Sequence, residues 1–167
     1  SLDAKVAGDL VYVIGETREE LGGSEYFAHL GSVGNIVPGL DASAARERYG
    51  RLTEAISSEL IASACPVSHG GLGIALAKVA IAGQLGMDLT LDVGMRPDYF
   101  LFSESLGRFV VTVAPDNKRA FELALGSEAV LIGRIRGSSF RITQEKTVLD
   151  LPVSELETAY KAPFREY

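Results

Sequence analysis

Leu10-Val11-Tyr12-Val13-Ile14, closed by Gly15, is the stretch on which the reading of the fold turns. Five consecutive apolar residues ended by a glycine predict a strand covered on both faces. Phe109-Val110-Val111-Thr112-Val113 repeats that signature downstream. Pro115-Asp116 then opens a helix that Gly126 ends, and Ala129-Val130-Leu131-Ile132 returns to a strand. Leu89-Thr90-Leu91-Asp92-Val93 alternates as a half-buried strand does. Phe140-Arg141-Ile142 with Thr147-Val148-Leu149 predicts a hairpin, and a last helix is expected from about Pro152 to Tyr160. Nearer the N-terminus, Ala45, Tyr49, Leu52, Ile56 and Leu60 recur at helical spacing from about Ser43, with Asp41 or Ser43 as the cap. Cys65 through Gly71 breaks that helix, and Leu72, Leu76, Val79 and Gly83 form the stripe of the next. Strands alternating with helices, plus a late hairpin, predict an α/β (α+β) domain: a mixed β-sheet packed with helices. No linker or repeat interrupts residues 1–167, so one domain is expected.

Composition narrows the function classes. The chain has 167 residues and is 47% hydrophobic, a globular value. Its 16 basic and 22 acidic residues give a net charge of −6, which argues against a general nucleic-acid binder. The single cysteine, Cys65, cannot pair within the chain and reads as a small buried filler suited to a reducing compartment. The longest uncharged run lies between Glu59 and Lys78, but Pro66, His69, glycines and serines make it a poor membrane span. No basic segment followed by an apolar core opens the chain, so a cytoplasmic location is expected. Ser1 stands where a methionine would, which leads us to expect a piece of a longer protein.

Three loops carry the candidate chemistry. Gly22-Gly23-Ser24-Glu25 offers backbone amides to a ligand, a hydroxyl, and a carboxylate; the plainer alternative is a glycine-rich turn with Ser24 capping a short helix. Ser68-His69-Gly70-Gly71 opens a helix, where unpaired amides favour a phosphate-like anion, held more tightly below neutral pH through His69. The alternative there is close packing that excludes a Cβ. Phe102-Ser103-Glu104-Ser105-Leu106-Gly107-Arg108 places Glu104 four residues before Arg108, which as a helix would make a surface ion pair. There is no P-loop, no complete dinucleotide fingerprint and no Gly-x-Ser-x-Gly elbow. His29 and His69 lack metal-ligand spacing, so neither a catalytic group nor a metal ligand is assigned.

Taken in order, these elements resemble a known family. Gly8 through Gly15, Leu21-Gly22-Gly23-Ser24-Glu25-Tyr26, Val67 through Leu72, Leu101 through Ser105 and Ile132-Gly133-Arg134-Ile135 are similar to the C-terminal domain of the synthetase component of phosphoribosylformylglycinamidine synthase, also called formylglycinamide ribonucleotide amidotransferase. The wider superfamily includes aminoimidazole ribonucleotide synthase, thiamine monophosphate kinase and selenophosphate synthetase. The resemblance implies a fragment of an ATP-dependent C–N ligase of purine biosynthesis. ATP and Mg²⁺ serve the parent enzyme, and a glutaminase subunit or domain supplies ammonia. It places this chain as the second C-type domain, with the N-type domains absent and the isolated domain inactive.

Two departures bear on its role. Family copies carry His-Asp-x-Ser-Asp-Gly-Gly-Leu where this chain has Cys65-Pro66-Val67-Ser68-His69-Gly70-Gly71-Leu72, so both acids are gone. Leu106 stands where the first C-type domain has the glutamine of Glu-Ser-Gln. The expected role is therefore structural, or the lining of an auxiliary nucleotide-phosphate site by Gly22, Gly23, Ser24, Glu25, His69, Gly70, Gly71 and Glu104. Two rivals are a non-catalytic assembly domain with no ligand and a stand-alone kinase-like protein. A domain of this kind is expected to expose an apolar face, drawn from Leu60 to Ala77 and the neighbouring strands, and to form a homodimer or higher species when isolated.

Overall fold

The computed structural model describes residues 1–91 and 94–164. Seven strands form one mixed sheet in the order β2-β4-β1-β5-β3-β6-β7. They are β1 (Leu10–Ile14), β2 (Ser63–Pro66), β3 (Met87–Thr90), β4 (Phe109–Val113), β5 (Ala129–Ile135), β6 (Ser139–Gln144) and β7 (Lys146–Pro152). Every neighbouring pair is antiparallel except β3 with β6.

β1 lies inside the sheet and is buried along its whole length, as its uninterrupted apolar run requires. Val11 and Val13 enter the core beneath α3 (Gly71–Gly83), α4 (Pro97–Phe102) and α6 (Val153–Lys161). Leu10, Tyr12 and Ile14 face the opposite core, with Leu52 and Ala55 of α2 (Ala42–Ser57) and Phe121 and Leu125 of α5 (Lys118–Leu125). On β3 and β6 only one face is apolar: Met87, Leu89, Phe140 and Ile142 are buried. Asp88 and Arg141 point the other way and join Arg136 and Asp150 in a cross-strand ladder of ion pairs.

The expected elements return with adjusted edges. α2 is capped by Asp41, whose carboxylate accepts from the amides of Ser43 and Ala44 at 2.9 and 3.0 Å. Its buried stripe is Ala45, Leu52 and Ala55, whereas Tyr49 and Ile56 are exposed. The half-buried strand expected over Leu89–Val93 runs from Met87 to Thr90, and Asp92 and Val93 lie outside the described residues. Two elements were not anticipated. β2 occupies part of the segment read only as a helix break, held by β4 and by a bond from the Ala64 amide to the Ser1 carbonyl. α4 precedes the Glu104 loop. Among the described residues no helix is long and apolar enough to cross a membrane.

The apolar run from Leu60 to Ala77 is mostly interior, because Cys65, Val67, Leu72, Ala75 and Leu76 all join one core. Within that run Ile74 stays exposed, as do Val130 and Leu131 on β5, and a further exposed apolar group lies elsewhere. Leu30, Val33, Ile36, Val37 and Leu40 stand 52–76% exposed on one uncharged loop.

Asp9, just before β1, is buried with one carboxylate oxygen lacking a partner. Burial raises its pKa from the usual 3.8, against a smaller lowering by the Val6 backbone. The folded protein thus holds this proton more tightly than the unfolded chain, so Asp9 costs stability at neutral pH and that cost fades as pH falls toward 3.8. We expect Asp9→Asn to gain on the wild type as pH rises from about 4 to 7. Parallel urea titrations would check this, and a difference that stays constant with pH would contradict it.

Candidate functional site

Three loops separated by tens of residues meet at one carboxylate. Ser103, Glu104 and Ser105 leave α4 in an extended path, so their side chains alternate in direction. The two serines are buried and hook the chain at Arg18 to Glu20. Ser103 Oγ donates to the Arg18 carbonyl at 2.6 Å, and Ser105 Oγ accepts from the Arg18 amide at 3.1 Å. Glu104 points the other way. One of its oxygens accepts from the Gly70 amide at 2.8 Å and from the Glu25 amide at 2.9 Å. Those amides open α3 and α1 (Glu25–His29), so two helix N-termini converge on a single anion. The other oxygen lies 3.8 Å from His69 Nδ1, which is also 3.8 Å from Glu25 Oε1. Tyr26 stacks on Phe102 with ring centres 4.6 Å apart and holds α1 against α4.

Arg108 is the clamp beneath this junction. It does not pair with Glu104, and neither residue is helical. Gly107 turns the chain so that the guanidinium enters the protein, where it is 1% exposed. It donates to the carbonyls of Ser103 and Ser105 and to Thr17 Oγ1. Burial pushes its pKa down to about 10, partly offset by Glu20, so it stays charged at neutral pH.

The glycine-rich turn takes its plainer form. Ser24 is buried and caps α1, accepting from the Phe27 amide and donating to the Leu21 carbonyl. The Gly22 and Gly23 amides are not free for a ligand: each donates at 2.7 Å, to the carbonyls of Ile36 and Val33. At Gly71 close packing holds too, since a Cβ there would stand 2.6 Å from the Ser103 carbonyl oxygen. The position expected for an anion at Gly70 holds the chain's own Glu104 carboxylate. Of the expected site residues, Glu25, His69, Gly70 and Glu104 are brought together, and Glu25 and His69 remain mostly exposed.

The sequence reading missed a cleft of about 520 Å³ at the C-terminal end of β1. Val13, Met95, Phe100 and Val130 supply its apolar lining, and Arg18, Arg48 and Glu128 are among its polar groups. Its cations are already paired, Arg48 with Glu128 at 2.6 Å and Arg18 with Glu16 at 2.9 Å. No motif marks it; its lining comes from four distant segments, around residues 13–18, 41–48, 95–100 and 127–130. Among the described residues no set of three or more His, Cys, Asp and Glu side chains is arranged to hold a metal ion.

Residues 6–143 match the family described as AIR synthase related protein, C-terminal domain. Among curated proteins, the chain is similar to phosphoribosylformylglycinamidine synthase subunit PurL of Methanocaldococcus jannaschii, 35% identical over 98% of this chain and 23% of that protein. The PurL subunit of Moorella thermoacetica is 38% identical over 89% of this chain and 21% of its own length. The chain therefore spans roughly a fifth of these relatives. Its fold is similar to that of Thermotoga maritima PurL complexed with FGAR, with a TM-score of 0.79 and 19% identity over 92% of this chain and 28% of that one. The same protein complexed with ATP gives 0.72 at 19% identity, covering 92% and 26%. PurLQS from Thermotoga maritima gives 0.76 at 19% identity, covering 92% and 27%.

Proposed function

The chain belongs to the family of AIR synthase related proteins, C-terminal domain, and from that premise we propose that it is the second C-type domain of a phosphoribosylformylglycinamidine synthetase. The similarity to PurL subunits along nearly its whole length carries this reading. The parent enzyme converts formylglycinamide ribonucleotide to formylglycinamidine ribonucleotide. ATP phosphorylates the amide oxygen, and ammonia from a glutaminase partner displaces the phosphate. We place it in the cytoplasm.

Within that enzyme the domain is structural. The amides of Gly22, Gly23 and Gly70, which a ligand would need, are engaged inside the chain. Mg²⁺ serves the reaction in the parent enzyme, but the carboxylates described here do not form a set that fits it. The apolar loop Leu30 to Leu40 supports burial against the remaining synthetase domains, since a patch of that kind marks an interaction surface. Isolated from them, the chain self-associates through exposed apolar surface.

The experiment has two arms. The isolated chain, given ATP, Mg²⁺, ammonia and formylglycinamide ribonucleotide, should show no turnover. A hybrid in which it replaces the matching fifth of the Methanocaldococcus subunit should retain turnover. Ligase activity of the isolated chain, or a folded hybrid without any, would overturn the assignment.

A further inference from the structure

Glu104 does what the residue at the start of α3 cannot. Gly70 occupies the N-cap position and has no side chain with which to satisfy an exposed amide. A carboxylate 34 residues later supplies that acceptor instead, and the same oxygen accepts from the first amide of α1. The glutamate side chain is only 15% exposed, and its bond to the Gly70 amide is partly buried whereas that to the Glu25 amide lies at the surface. Hydrogen bonds to an ionised acceptor are stronger than neutral ones, and a negative charge here faces the positive ends of two helices. The two flanking serines fix the backbone from the opposite side, leaving Glu104 little choice of direction.

We infer that Glu104 is a built-in anion that closes this junction. Its carboxylate holds the 22–25, 68–71 and 103–105 loops together and keeps external oxyanions off the Gly70 and Glu25 amides. The junction is thus an intramolecular clasp, and a phosphate or sulfate reaches those amides only when the carboxylate is removed. This goes beyond the proposed function and does not depend on it, because it concerns only contacts within the chain.

Sulfate is the probe, with sodium chloride at matched ionic strength as the control. In the wild-type chain the amide resonances of Gly70 and Glu25 should not respond to sulfate beyond the chloride control. Glu104→Ala should melt at a lower temperature and recover part of that loss in sulfate but not in chloride. Its Gly70 and Glu25 resonances should shift saturably, with sulfate affinity at least tenfold above the wild type's. Should the alanine variant fail to fold, Glu104→Gln keeps the side-chain length and one carbonyl oxygen while losing the charge. Hydrogen exchange at Gly70 and Glu25 should then be several-fold faster than in the wild type, with β1 amides unchanged. A wild type that binds sulfate at these amides, a folded alanine variant that ignores it, or unchanged exchange in the glutamine variant would each overturn the inference.

Discussion

Arg108→Ala is expected to destabilise the protein by about 2–6 kcal/mol, because two buried carbonyls lose a charged donor. The guanidinium is the largest of the fully buried side chains, and its bonds run to Ser103, Ser105 and Thr17. Truncation leaves two carbonyls without a donor at about 1–3 kcal/mol each, and Glu20 keeps only Arg18, 3.9 Å away, as a neighbouring positive charge among the described residues. Had Arg108 been the surface partner of Glu104 that the spacing first suggests, its removal would cost only about 0.3–0.5 kcal/mol. The two readings differ roughly tenfold, so one urea titration at pH 7 separates them. Arg108→Lys should recover less than half of the loss, because an ammonium cannot present donors in a planar fork. A loss below about 1 kcal/mol for the alanine variant would mean the guanidinium does not clamp the junction.

That contrast shows what the sequence carries and what it does not. β1 is legible because five apolar residues in a row have few other destinations than a strand with both faces covered. α5 is legible because Pro115 and Gly126 punctuate it, and the hairpin because its strands alternate. β2 is not, since four residues ending in Pro66 become a strand only through β4 and Ser1. The i,i+4 spacing of Glu104 and Arg108 carries meaning only on a helix, and Gly107 sends the chain through a turn instead. Local spacing also cannot reveal that residues 25, 70 and 104 meet. The family resemblance singled out their loops, but the bonds that join them are long-range and appear only in the folded chain. The expectation of free amides at Gly22 and Gly23 failed for the same reason: their acceptors, Ile36 and Val33, lie fourteen and ten residues downstream.

Gly71→Ala tests whether the junction depends on close approach as well as on charge. Gly71 sits at φ +70°, a left-handed conformation that costs an L-residue about 1–2 kcal/mol. An added Cβ would also stand 2.6 Å from the Ser103 carbonyl oxygen and 2.7 Å from that of Leu101. Those are backbone atoms, fixed by the serine hooks and by Arg108, so they yield only if the 101–104 segment moves. Overpacking of this kind costs about 1–3 kcal/mol further, giving about 2–5 kcal/mol in all. Gly23→Ala is the matched control, because Gly23 has φ +71° with nothing within 4 Å of its Cβ position. It should show the backbone cost alone, leaving Gly71→Ala less stable by at least about 1 kcal/mol. Displacing the 101–104 segment would also draw the Glu104 carboxylate away from α3, so the Gly70 amide should exchange faster in Gly71→Ala but not in Gly23→Ala. Equal losses in the two variants, with Gly70 exchange unchanged, would show that α3 packs against α4 with room to spare and that the glycine serves only its turn.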